Sequence, residues 1–94
     1  MGFLDKSEDE ILHEKAWSIR EMIFEYSRQN VKYSTEANIA AFVKRQRLPQ
    51  KIYSSIGRDK DLLWKVTDLL PGIVSISFSY NFKRYYENKK GLKR

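Results

Sequence analysis

Ser7 and Glu10, three residues apart, open the amphipathic run that constrains this fold most. The serine oxygen can accept from the backbone N–H of Glu10, whose side chain can reach back to the N–H of Ser7, and such a capping box starts a helix. Leu12, Ala16, Ile19, Ile23 and Tyr26 then recur every three or four residues, with Ile11, Trp17 and Met22 widening the stripe. Asn30 offers a left-handed C-terminal cap. The pattern predicts a helix over roughly residues 8 to 29, with Glu14, Arg20, Glu21, Glu25 and Arg28 on a solvated, rather acidic face.

Ser34 and Thr35 are candidate N-caps for a second helix through Ala37, Ile39, Ala40, Ala41, Phe42 and Val43, whose alanines permit close approach of a neighbour. Pro49 disfavours helical geometry at Leu48 but suits the first turn of a new helix, so the chain turns near residues 46 to 49 and resumes as "QKIYSSI". Gly57 closes that third segment. Asp59 caps a fourth, burying Leu62, Leu63, Val66, Leu69 and Leu70 until Pro71-Gly72 ends it. Beyond it, Val74, Ile76, Phe78, Tyr80 and Phe82 alternate with Ser75, Ser77, Ser79 and Asn81, which predicts a half-buried strand. That strand needs a partner, either a wing-like hairpin over residues 83 to 87 or the same strand of a second subunit. The spacing of Phe78, Phe82, Tyr85 and Tyr86 also suits a helix. The expected fold is therefore mainly α, a helix-turn-helix bundle of about four helices with a C-terminal β-strand or wing. The alternative is a winged helix of the α+β class. Residues 1–82 form the single domain and residues 83–94 a basic tail, "KRYYENKKGLKR".

Charge adds a direction. Residues 1 to 43 carry five Lys or Arg against eight Asp or Glu, a net of −3, while residues 44 to 94 carry thirteen against four, a net of +9. Such segregation argues for a phosphate backbone or another anionic surface as partner. Ninety-four residues support one modest core, and the chain has no cysteine. Thiolate metal sites and disulfides are thereby excluded, and a reducing, cytoplasmic location is expected. No apolar run is long enough to span a membrane, and "MGFLDKSEDE" matches neither a secretory signal nor the myristoylation pattern. The one histidine, His13, sits beside Glu14 on a helical face, and no nucleophile pair, HExxH, EF-hand or glycine-rich phosphate loop is present. No enzyme and no cofactor is expected.

The second and third helices carry the most specific pattern. In a helix-turn-helix the first helix braces on the DNA backbone and turns a small residue toward its partner helix, here Ala40 or Ala41, and the second sends its N-terminal residues into the major groove. Lys44, Arg45 and Arg47 in the turn supply phosphate donors. Gln50 and Lys51 are placed to reach adenine N6/N7 and guanine O6/N7. Tyr53, Ser54 and Arg58 supply further phosphate contacts.

The run "RQNVKYSTEANIA" resembles the end of the first helix and the start of the second in TetR-type repressors. Asn30 stands at that family's glycine, Val31 at its aromatic, Ser34 and Thr35 at its threonine pair, and Ile39 and Ala40 at its Ile-Ala. In "KIYSSIGRDKDLL", Ile52 and Tyr53 stand at its Leu-Tyr. The resemblance implies phosphate contacts from Tyr53 and from Lys60 at a helix N-terminus, and adds Thr35 to the DNA-facing set. "RQRLP" replaces the family's Gly-Val turn, two residues longer, and nothing corresponds to its ligand-binding domain, so no inducer pocket is implied.

These readings make the chain a small basic DNA-binding protein, a transcriptional or plasmid/phage-type regulator, expected to be a homodimer. The alternative is a protein-binding inhibitor or adaptor that docks its acidic first helix or its edge strand on a larger machine. A third reading is RNA binding, with Tyr80, Phe82, Tyr85 and Tyr86 interleaved with Lys83 and Arg84 as a stacking surface.

Overall fold

A computed structural model describes residues 7–46 and 48–91. It contains five helices, α1 (Glu8–Asn30), α2 (Glu36–Gln46), α3 (Gln50–Ile56), α4 (Lys60–Leu69) and α5 (Gly72–Gly91), and no strand among the described residues.

The capping box forms as expected, with the Glu10 N–H donating to Ser7 Oγ at 3.1 Å and the Ser7 N–H donating to Glu10 Oε1 at 3.3 Å. Glu8, Asp9 and Glu10 place three carboxylates at the positive end of the helix dipole. One stripe is buried: Ala16, Ile19, Ile23, Phe24 and Ser27. Ser27 sits in the core because its hydroxyl donates to the Ile23 carbonyl one turn back at 2.7 Å. The expected left-handed cap at Asn30 is absent. Asn30 remains helical, its amide bonds the Tyr26 carbonyl, and extended Val31 leads the chain out.

Thr35 rather than Ser34 caps α2, accepting from the Asn38 N–H at 3.2 Å. Pro49 stands at the N-cap of α3, and Gly57 closes it with φ +59° and ψ −131°, a region that disfavours any residue with a Cβ. Asp59 caps α4, accepting from the Leu62 N–H at 3.0 Å.

The C-terminal strand expected over residues 74–82 is overturned, and with it the wing, the winged-helix alternative and strand pairing between subunits. Residues 72–91 are one helix. A strand here has no neighbour among the described residues to satisfy its backbone, whereas a helix satisfies it internally. The helical period re-sorts the alternating residues: Val74, Ser77, Phe78, Asn81 and Phe82 are buried, while Ile76 and Tyr80 face solvent. Two serines help to accommodate this, Ser77 donating to the Ile73 carbonyl at 3.0 Å and Ser75 to the Thr67 carbonyl at 2.9 Å. The boundary expected after residue 82 falls inside this helix, and Tyr85 and Tyr86 beyond it pack against the core.

Packing follows two principal pairs, α5 along α2 and α1 along α4, with α3 wedged beside α1 and α4. Tyr53 of α3 stacks on Phe78 and Tyr85 of α5, with ring centroids 5.8 and 5.0 Å away, which joins the two pairs into one core. The Cα atoms extend 46 × 40 × 20 Å, so the shortest direction holds two helix layers and no third.

Candidate nucleic-acid interface

From residue 37 to residue 58 the chain holds five Lys or Arg and no Asp or Glu. The fold turns this acid-free stretch into α2, the connection behind it, α3 and the turn into α4. Because α3 buries Ile52, Tyr53 and Ile56 as one stripe, Gln50, Lys51, Ser54 and Ser55 form its exposed face, and Arg58 continues that surface beyond Gly57. The stretch ends at Asp59, whose carboxylate is occupied by the Leu62 N–H, and Lys60 follows as the first residue of α4.

Arg45, Lys51, Arg58 and Lys60 are exposed, and among the described residues none of them forms an ion pair; Arg20 with Glu21 is the pair that forms, on α1. Among the described residues, no carboxylate lies within ion-pair distance of these four cations. Cations in that condition attract a polyanion, because each phosphate they meet releases condensed counterions.

The residues expected to face DNA do not all come together. Thr35 serves as the α2 cap, about 14 Å along the helix from Lys44 at 1.5 Å per residue. Lys44 lies on the α5 side of α2, its Nζ 5.7 Å from the Tyr80 ring, and Arg84 approaches the same ring at 5.8 Å. The structure thus brings Arg84, which the sequence reading assigned to a tail, beside Lys44. Lys51 borders a depression shared with Glu25 and Gln29 of α1, next to Pro49 and Ile52. Arg47 lies outside the described residues.

Tyr53 is corrected outright. It is 3% exposed, its ring is stacked within the aromatic core, and its hydroxyl accepts from the Leu48 N–H at 3.4 Å. Its place on the buried stripe of α3 leaves no surface for a phosphate. Ala40 and Ala41, either of which was expected to face the third helix, both line a groove shared with α5, and α2 packs chiefly on α5 rather than on α3. The aromatics considered for base stacking are mostly core: Phe82 is buried, Tyr85 and Tyr86 pack against it, and Tyr80 alone of the four is exposed.

Among the described residues no group of three or more His, Cys, Asp and Glu is arranged to hold a metal ion. His13 stacks on Trp17, with ring centroids 6.1 Å apart, on the exposed side of α1. No described helix is long and apolar enough to cross a membrane. No protein-family model, curated protein or solved structure matches the chain.

Proposed function

We propose that the chain is a small duplex-DNA-binding protein, acting in the cytoplasm as a regulator of transcription or of a plasmid or phage process. Arg45, Arg58 and Lys60 hold phosphates, with Ser54 as a neutral donor. Gln50 and Lys51, at the start of α3, reach base edges in the manner of a recognition helix. The observation that carries this reading is the run of residues 37–58, free of carboxylates, in which exposed Arg45, Lys51 and Arg58 form no ion pair among the described residues. The short α3 and its packing on α1 and α4 favour contacts dominated by the DNA backbone.

Fluorescence anisotropy with labelled duplexes tests the proposal. Three charged phosphate contacts give a log–log salt slope of about −2.7, so affinity falls roughly fortyfold between 50 and 200 mM salt. Arg45→Gln lowers that slope by about 1 and weakens binding to all duplexes alike, whereas Gln50→Ala alters the ratio between sequences. Binding that is absent at 50 mM salt, or indifferent to salt across that range, rules the proposal out.

A further inference from the structure

The exposed groove between α2 and α5 is a second, chemically different surface. Its α2 wall is Ala37, Ala40, Ala41 and Lys44, and its α5 wall is Ile73, Ile76, Ser77 and Tyr80. Each set is spaced i, i+3, i+4, i+7, the signature of one helix face. Lys44 lies over Tyr80 and Asn81 reaches the Val43 carbonyl at one end of the groove; because both sets line the same groove along its length, Ala37 and Ile73 share its other end and the two helices run in the same direction. Ile76 is 71% exposed, Ile73 48% and Tyr80 46%, three large apolar side chains in a single row.

The charges at the two ends are opposite. Glu36 is the acidic residue in the first turn of α2, and Lys44 and Arg45 are the basic ones in its last turn, with Arg84 beside Tyr80. We infer that this groove is the interface of a two-fold dimer of the chain, with α2 lying antiparallel against α2 of a second copy.

A two-fold axis across the middle of the groove satisfies both observations at once. Exposed alanines at 37 and 41, with buried Ala40 beneath them, let the two α2 helices approach closely, and the axis falls near Ala41. In that register each Glu36 meets the Lys44 end of the other copy, and the two helix dipoles oppose. On the neighbouring pair of helices, Ile76 meets Ile76 of the second copy, and each Ile73 meets a Tyr80. The alternative two-fold, with the α2 helices parallel, sets the Lys44 and Arg84 clusters against each other and is disfavoured by like charge. Isologous two-fold dimers are the commonest closed assembly, and they require a self-complementary patch of this kind. The strand that first suggested a dimer is not needed.

The inference stands independently of DNA binding, and its response to salt is different. An interface of alanine, isoleucine and tyrosine survives salt that dissociates a protein from phosphates.

Sedimentation equilibrium of the full chain at 0.5 M salt provides the test. A dimer is expected. Ile76→Lys, which changes an exposed side chain, is expected to weaken dimerisation at least tenfold, with the circular dichroism melt preserved as evidence of folding. At 50 mM salt, where end charges are little screened, Glu36→Lys and Lys44→Glu are each expected to dimerise more weakly than the parent, and to form a heterodimer when mixed, because mixing restores both end pairs. A wild-type chain that stays monomeric to millimolar concentration overturns the inference and leaves the groove to a helix of another protein. A dimer indifferent to Ile76→Lys, or charge variants that fail to rescue each other, also overturns it.

Discussion

The short helices end in carbonyls that side chains far away in sequence satisfy. The last four carbonyls of any helix lack intrahelical donors. In α2 one of these, Val43, accepts from the buried amide of Asn81, thirty-eight residues later. At the end of α4, Leu69 accepts from Arg20 Nε at 3.1 Å and Thr67 from the Ser75 hydroxyl. The turn after α3 is held through Gly57, whose carbonyl accepts from the Tyr86 hydroxyl. In every case the donor belongs to α1 or α5, so the two long helices hold the ends of the three short ones. Asn81→Ala is expected to destabilise the protein by about 1–3 kcal/mol, because it leaves the Val43 carbonyl buried without that donor. Urea unfolding measures this, with the midpoint falling at unchanged slope. A variant as stable as the parent shows that water replaces the amide. None of these contacts is visible in the sequence, since no local spacing links residue 43 to 81 or 57 to 86. Tyr53 was misread for the same reason: the residue lies on the apolar stripe of α3, but the aromatic rings that enclose it come from α5.

At the scale of the element, sequence reading succeeded where a cap or breaker marks a boundary. Ser7 with Glu10, Thr35, Pro49, Gly57, Asp59 and Pro71-Gly72 delimit α1 to α4 within a residue or two of the observed ends. It failed over residues 74–82, where no cap resolves the period and where serine at alternate positions mimics a strand with one polar face. Tertiary context decided the matter, because Phe78 and Phe82, spaced for a helix, find Tyr53 between them. Ser79 separates the two structures energetically. It is exposed on α5, where alanine is intrinsically favoured over serine, whereas alanine is a poor strand residue. Ser79→Ala is therefore expected to raise stability by about 0.5 kcal/mol in chemical denaturation and to leave the helical circular dichroism signal undiminished. A loss of stability or of helical signal points to extended structure in this segment.

For the whole molecule, the charge asymmetry was legible from the counts alone: α1 carries three carboxylates in its first turn, while residues 37–58 carry none. The way the basic residues divide was not legible. Lys44 and Arg84 gather on the α2–α5 side and Arg58 and Lys60 at the turn into α4, a division set by which face of each helix the core consumes. The extent of the folding unit was also hidden, because "KRYYENKK" reads as a charged tail when its two tyrosines are not known to be partly buried. Tyr85 stacks on Tyr53 and lies edge-on to Tyr86, and Tyr86 packs on Phe82 while bonding Gly57. A chain ending at Phe82 loses both rings and the tie to the α3–α4 turn. Its stability is expected to drop by about 3 kcal/mol or more, a large share of the roughly 5–15 kcal/mol typical of a domain. At about 4–8 °C per kcal/mol for a domain of this size, the melting temperature falls by more than 10 °C. A chain ending at Glu87 keeps both tyrosines and is expected to melt within a few degrees of the full protein. Thermal melts of the two truncations therefore locate the edge of the cooperative unit. Equal melting of both places that edge before Lys83 and makes the last turns of α5 dispensable, whereas a large gap places it after Tyr86.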